Sequence, residues 1–252
     1  MRIDLTGNTI LVTGASRGIG RAIATELAQA GGRVALHYHH HQQAARTLAI
    51  RLGGEARAFQ ADLADPEACG RLWEEVTREF GGVDVLINNA GIAIESPLAD
   101  SEASWLASWE ATQRVNLTAA AQLSRRALLH FQEGGGGRII FIASRAAFRG
   151  DTPEYLAYAA SKGGMVALAR SIARGYGRAG VKAFVVAPGF VRTDMAQDFI
   201  DRYGEGIARD DLALSEPTRP EHVAPLVALL ASGLADHATG GTFDVNAGSY
   251  VH

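Results

Sequence analysis

The chain is 252 residues long, with 47% hydrophobic and 20% charged residues, which is enough to bury a substantial core, and its net charge of -3 gives no electrostatic reason to expect nucleic acid or an anionic membrane as partner. A single cysteine, Cys69, cannot close an internal disulfide and fits a reducing cytosol. The opening Met1-Arg2-Ile3-Asp4-Leu5 lacks the apolar stretch of a signal peptide, and no later run is long enough to span a bilayer, so a soluble cytoplasmic protein is expected.

Thr9 to Val12 reads as a first strand, and a helix follows from Gly18 to Ala30. The pattern repeats as a strand at Arg33 to Tyr38 and a helix at Gln42 to Leu52, then a strand at Ala56 to Gln60 and a helix at Pro66 to Phe80. Val83 to Ile87 is a fourth strand, before a long helical stretch from Glu102 to Gln132 in which a break near Ser108 is expected. Arg138 to Ile142 and Val181 to Val186 flank a helix at Leu156 to Tyr176, and a last helix is expected at Pro220 to Ala231. Such alternation predicts an α/β fold, a doubly wound parallel sheet with helices on both faces, in one domain over residues 1–252. Residues 192–220, rich in charge and turn formers, are expected to form a mobile lid over a site.

Two motifs carry chemistry. Thr13-Gly14-Ala15-Ser16-Arg17-Gly18-Ile19-Gly20 lies between the first strand and the first helix, where bare backbone N–H groups and the helix dipole receive a pyrophosphate and glycine lets phosphate approach the main chain. Tyr158 and Lys162 stand four residues apart in a helical stretch and therefore share one face. A phenol ordinarily titrates near ~10, and an ammonium held close is expected to lower that value and make Tyr158 a proton donor and acceptor near neutral pH.

Taken with Asn88-Asn89-Ala90-Gly91, Asn116, Ser144 and Pro188-Gly189, these motifs resemble the short-chain dehydrogenase/reductase family over nearly the whole chain. The resemblance implies a single Rossmann-type domain of about seven parallel strands, the last near Thr242 to Val245, and a nicotinamide dinucleotide as cofactor. It makes Tyr158 the acid that protonates a carbonyl oxygen as hydride arrives, Lys162 the group that tunes it and holds the nicotinamide ribose, and Ser144 a second hydrogen bond to that oxygen. Asn116 would kink its helix and hold a water leading from the lysine to solvent. Asn89, Ala90 and Gly91 would line the adenine-ribose side, Asp62 and Leu63 the adenine, and Pro188, Gly189, Val191 and Thr193 the carboxamide. Ser144 to Tyr158 is fourteen steps where the family commonly has thirteen, which places one extra residue in the loop from Arg149 to Tyr155.

An acidic residue at the end of strand two selects NAD, and here the strand ends Tyr38-His39-His40-His41 without a carboxylate. Arg17 offers a fixed charge to a 2'-phosphate, and His39 stands where NADP-using relatives carry arginine, so NADP(H) is preferred over NAD(H). Adjacent histidines on an extended chain point to alternating sides, so no metal site is expected. Thr13 to Gly20, Tyr158 to Gly163 and Ala187 to Met195 resemble the 3-oxoacyl-carrier-protein reductase type most, implying reduction of a 3-oxoacyl thioester or similar ketone. Arg145, Arg149, Arg174 and Arg178 are candidates to dock an acidic carrier protein. A dehydrogenase of sugars, polyols or other small secondary alcohols is the second reading, and a dinucleotide-binding sensor without turnover the third. The family implies a homotetramer or homodimer paired through long helices; the stripe Ala119, Leu123, Ala127 and Phe131 would serve that interface or the chain's own core.

Overall fold

The structure, a computed structural model, describes residues 3–193, 204, 206 and 211–251. Its centre is a seven-stranded, all-parallel sheet in the order β3-β2-β1-β4-β5-β6-β7. The strands are β1 (Thr9–Val12), β2 (Arg33–Tyr38), β3 (Arg57–Gln60), β4 (Val85–Asn88), β5 (Gly137–Ile142), β6 (Val181–Pro188) and β7 (Thr242–Val245). Helices α1 (Gly18–Gln29), α2 (Gln42–Leu52), α3 (Pro66–Phe80), α4 (Glu102–Gln113), α5 (Ala119–Gly134), α6 (Ala146–Arg149), α7 (Leu156–Tyr176) and α8 (Pro220–Ala231) connect and cover them.

Parallel strands buried on both faces need continuous apolar runs, and β1 and β4 are buried along their whole length. On one face Leu72, Val76, Leu123, Phe131 and Met165 pack under the sheet. On the other Ile23 and Leu27 of α1 meet Val227 and Ala228 of α8. The sheet winds outward from β1 in one direction through β2 and β3, and in the other through β4 to β7. The carboxyl ends of β1 and β4 therefore flank the reversal point, the crevice where open sheets of this kind bind ligands.

Several element bounds differ from expectation for local reasons. β4 begins at Val85 rather than Val83 because Asp84 pairs with Thr9 through both its main chain, at 2.8 Å, and its carboxylate, at 2.7 Å. β3 begins at Arg57 because the Ala56 amide turns back to the Gly53 carbonyl at 3.2 Å. The long helix does not break near Ser108; α4 runs unbroken to Gln113 and is followed by a π-helical turn, Arg114–Thr118, before α5. That wide turn presents the buried Asn116 inward. The stripe Ala119, Leu123, Ala127 and Phe131 is consumed by this chain's own core, each residue being buried, and is not free to pair with another copy. Most of the expected lid, residues 194–203, 205 and 207–210, lies outside the described residues, while Val191 and Thr218 on its two sides form a parallel bridge. Among the described residues no helix is long and apolar enough to cross a membrane.

Candidate active site

The glycine loop is braced from three sides. The Thr13 hydroxyl accepts the amides of Asn89 and Ala90, both at 2.9 Å, and the Asn89 side chain donates to the Thr13 carbonyl at 2.8 Å and the Gly14 carbonyl at 3.2 Å. Gly14 has φ +66°, a left-handed value that an L side chain resists. Gly20 packs so closely that a Cβ there would overlap the Gly14 carbonyl and stand 2.5 Å from Asn89 Nδ2. No side chain caps α1 at Arg17, and its first residues, Gly18, Ile19 and Gly20, line a cleft of about 330 Å³. Backbone donors at a helix end, with glycine at the positions a Cβ would fill, could hold a pyrophosphate. The fit to a dinucleotide thus rests on shape and donor geometry.

Ser16, Arg17, Gly18, Ile19, Tyr38 and His39 line the cleft together with Gly14 and Gly20. So do Asp62, Leu63, Asn89, Ala90 and Gly91 from the ends of β3 and β4. Asp65, and not Asp62, caps α3, its carboxylate accepting the Glu67 amide at 2.9 Å. This leaves the Asp62 carboxylate 3.9 Å from His39 Nε2. Although β2 ends without an acid, its neighbour β3 brings one to the same corner.

Tyr158 lies where this cleft meets a second cavity of about 180 Å³ that Ser144, Tyr155, Pro188, Gly189 and Val191 line. Thr193 borders both spaces. α7 presents Ser161, Lys162 and Met165 inward, at the spacing of a buried helical face. Lys162 Nζ lies 5.7 Å from the centre of the Tyr158 ring and donates to the Ile142 carbonyl at 2.8 Å. Burial pushes Lys162 down to about 8. Tyr158 moves opposite to expectation: burial of its hydroxyl end pushes it up to about 12, and the Ser144 hydroxyl opposes that rise only in part. The ammonium does not make this phenol a stronger acid, because it is spent on a main-chain carbonyl and both groups lose solvent together. Tyr158 therefore holds its proton at neutral pH.

Asn116 touches neither cleft directly. Its Oδ1 accepts the Ile92 amide at 2.8 Å, and its Nδ2 donates to the Ile92 carbonyl at 2.9 Å and to Ser161 Oγ at 3.0 Å. These bonds tie the segment after β4 to the turn of α7 that bears Lys162, and they engage both ends of the amide. The span Arg149 to Tyr155, where an extra residue is expected, holds the end of α6, a short loop and a 3-10 turn, Pro153–Tyr155.

One site residue escaped the sequence reading. His37, buried in β2, accepts the Gly14 amide on Nδ1 at 3.0 Å and faces the Ala61 carbonyl with Nε2 at 3.1 Å. The available signal was a polar residue inside a strand that parallel pairing should make wholly apolar.

The sequence profile described as short chain dehydrogenase matches residues 8–204. The 3-oxoacyl-[acyl-carrier-protein] reductase FabG of Vibrio cholerae is 34% identical over 249 residues, covering 99% of this chain and 100% of that one. The 3beta-hydroxysteroid dehydrogenase 1 of Eggerthella lenta is 33% identical over 253 residues, 99% of this chain and 96% of that one. Among solved structures, a short chain dehydrogenase from Burkholderia cenocepacia in complex with NADP superposes with a TM-score of 0.90 at 35% identity, covering 97% of this chain and 98% of that one. The chain belongs to the short-chain dehydrogenase/reductase family, oxidoreductases that act on CH–OH and carbonyl groups.

Proposed function

We propose that the protein uses NADPH to reduce a ketone, a 3-oxoacyl thioester or similar compound, to the secondary alcohol. The observation that carries this reading is Tyr158 at the junction of the two clefts with the Ser144 hydroxyl beside it. The dinucleotide, when bound, supplies the hydride. The residues then have three tasks: to hold the carbonyl, to stabilise the charge that grows on its oxygen, and to deliver a proton there. Ser144 positions and stabilises, and Tyr158 donates; a placed donor of this kind contributes on the order of 10² to 10⁴ in rate. Asn116 holds Ser161 and the Ile92 segment in place beneath Lys162.

Arg17 and His39 on the cofactor cleft support NADPH, each offering a donor to a 2'-phosphate. The Asp62 carboxylate near His39 works against that phosphate, so the preference rests on the Arg17 charge and the His39 donor outweighing one acid. The test is oxidation of NADPH and, separately, NADH at 340 nm across a panel of 3-oxoacyl thioesters, ketones and sugars. NADPH consumption with a ketone is the expected result. Activity confined to NAD⁺ with alcohols or polyols would overturn the reading.

A further inference from the structure

The geometry points to Arg145 as a substrate-binding residue that takes the carboxylate of an oxo acid, which, among the ketones of the reading above, favours one carrying a compact anion over the neutral 3-oxoacyl thioester. This rests on the carbonyl reduction proposed above. Arg145 follows Ser144 directly in the chain, and both line the cavity that opens onto Tyr158. Its side chain keeps only 10% of its surface exposed. Its one ion-pair partner among the described residues, Asp211, stands 3.8 Å from Nη1, beyond hydrogen-bond reach, and hydrogen-bonds Arg149 at 2.8 Å. Asp151, the other acid of the cavity wall, accepts the Thr152 amide of its own loop at 2.9 Å. Arg145 Nη1 is consequently buried without a hydrogen-bond acceptor.

A guanidinium cannot shed its charge in a protein, and burying it without an acceptor is costly unless an anion completes the site. Of the polar groups that share its cavity, Arg149 is bonded to Asp211 at 2.8 Å and the Ser144 hydroxyl accepts the Ala146 amide at 3.1 Å, while Thr152 Oγ1, like Arg145 Nη1, is buried without a hydrogen-bond partner. The cavity, of about 180 Å³, suits a small molecule. A guanidinium fork also matches a carboxylate in plane and spacing, so a ketone bearing one would be held at its charged end by Arg145 while its carbonyl lies toward Ser144 and Tyr158. A neutral ester or thioester offers no charge at that end.

The decisive experiment compares short oxo carboxylates with their methyl esters as substrates for the NADPH-loaded enzyme. The wild type is expected to show kcat/KM at least about tenfold higher for the carboxylate, and Arg145→Gln is expected to reduce that carboxylate-to-ester ratio by about 10- to 100-fold, the loss of one charge-assisted contact. Arg145→Lys should restore part of the ratio. Equal use of both substrates by the wild type, or an Arg145→Gln loss that falls equally on acid and ester, would overturn the assignment, since a merely structural arginine would not discriminate between them. Should Arg145→Gln fail to fold, the wild-type ratio decides alone. If no ketone is reduced at all, the reductase reading fails, and calorimetric titration of the same acid and ester into the protein with NADP⁺ still decides this one: equal affinities would refute it.

Discussion

His37 Nδ1 accepts the amide hydrogen of Gly14 at 3.0 Å, so a side chain from β2 fixes the first turn of the loop that follows β1. An amide is always a donor, which makes Nδ1 the acceptor and leaves the hydrogen on Nε2, where it is donated to the Ala61 carbonyl at 3.1 Å. The neutral ring thus joins the ends of three neighbouring strands beneath the cofactor cleft. Burial pushes its pKa down to about 4.

The sign of the resulting pH dependence follows from proton counting. Between about 6.5, the unfolded value, and about 4, the unfolded chain binds a proton that the folded chain refuses, so stability falls as pH falls through this window, by on the order of 3 kcal/mol. Urea unfolding from pH 7 to 4 measures this. His37→Asn keeps a donor and an acceptor without titrating there, and the difference between the two stability curves should narrow as pH falls. Parallel curves would show that His37 does not control the acid limb.

Gly20→Ala should damage cofactor binding more than it damages the helix. Alanine is the better helix former, but its methyl group would overlap the Gly14 carbonyl and push α1 away from the cradle. The expected result is a dissociation constant for NADPH raised at least about tenfold, equivalent to about 1.4 kcal/mol, read by quenching of tryptophan fluorescence or by calorimetry.

Cofactor choice should respond to Arg17 and His39 separately. Arg17→Ala is expected to lower the ratio of kcat/KM for NADPH over NADH by about 10- to 100-fold through loss of a charge-assisted contact. His39→Asp would set a second acid beside Asp62 and should shift the ratio further toward NADH. If neither substitution moved the ratio, the 2'-phosphate would have to be recognised elsewhere.

Tyr158→Phe removes the proton and keeps the ring. Turnover is expected to fall by about 10² to 10⁴, with NADPH affinity within a factor of about two, because the proton donor is lost while the cradle at α1 remains intact. Retained turnover would defeat the acid role.

Lys162 sets a second limit. Burial pushes it down to about 8, so its charge is lost as pH rises through that value, and the reduction rate should decline there rather than near the ordinary lysine value. Lys162→Arg, which stays charged, is expected to abolish that decline in any activity it retains. A wild-type profile flat to pH 9.5 would contradict the prediction.

The sequence alone determined the alternation of strands and helices, because hydrophobic period and glycine punctuation are local properties: α2, α3, α7 and α8 occupy the spans expected, as do β1 and β2, while β7 lies where the family resemblance implied it. It also located the glycine loop and the Tyr158–Lys162 face, since both depend on spacing within one element. Only the tertiary structure decided what those groups experience. Burial pushes the Tyr158 phenol up against the opposing hydrogen bond of Ser144, and Lys162 donates its ammonium to Ile142, a residue twenty positions earlier. The π turn at Asn116 and the role of His37 were equally hidden, since the bonds responsible run to Ile92, Ser161, Gly14 and Ala61. Local pattern reports which backbone a segment prefers; solvent exclusion and long-range hydrogen bonds exist only once the strands are side by side.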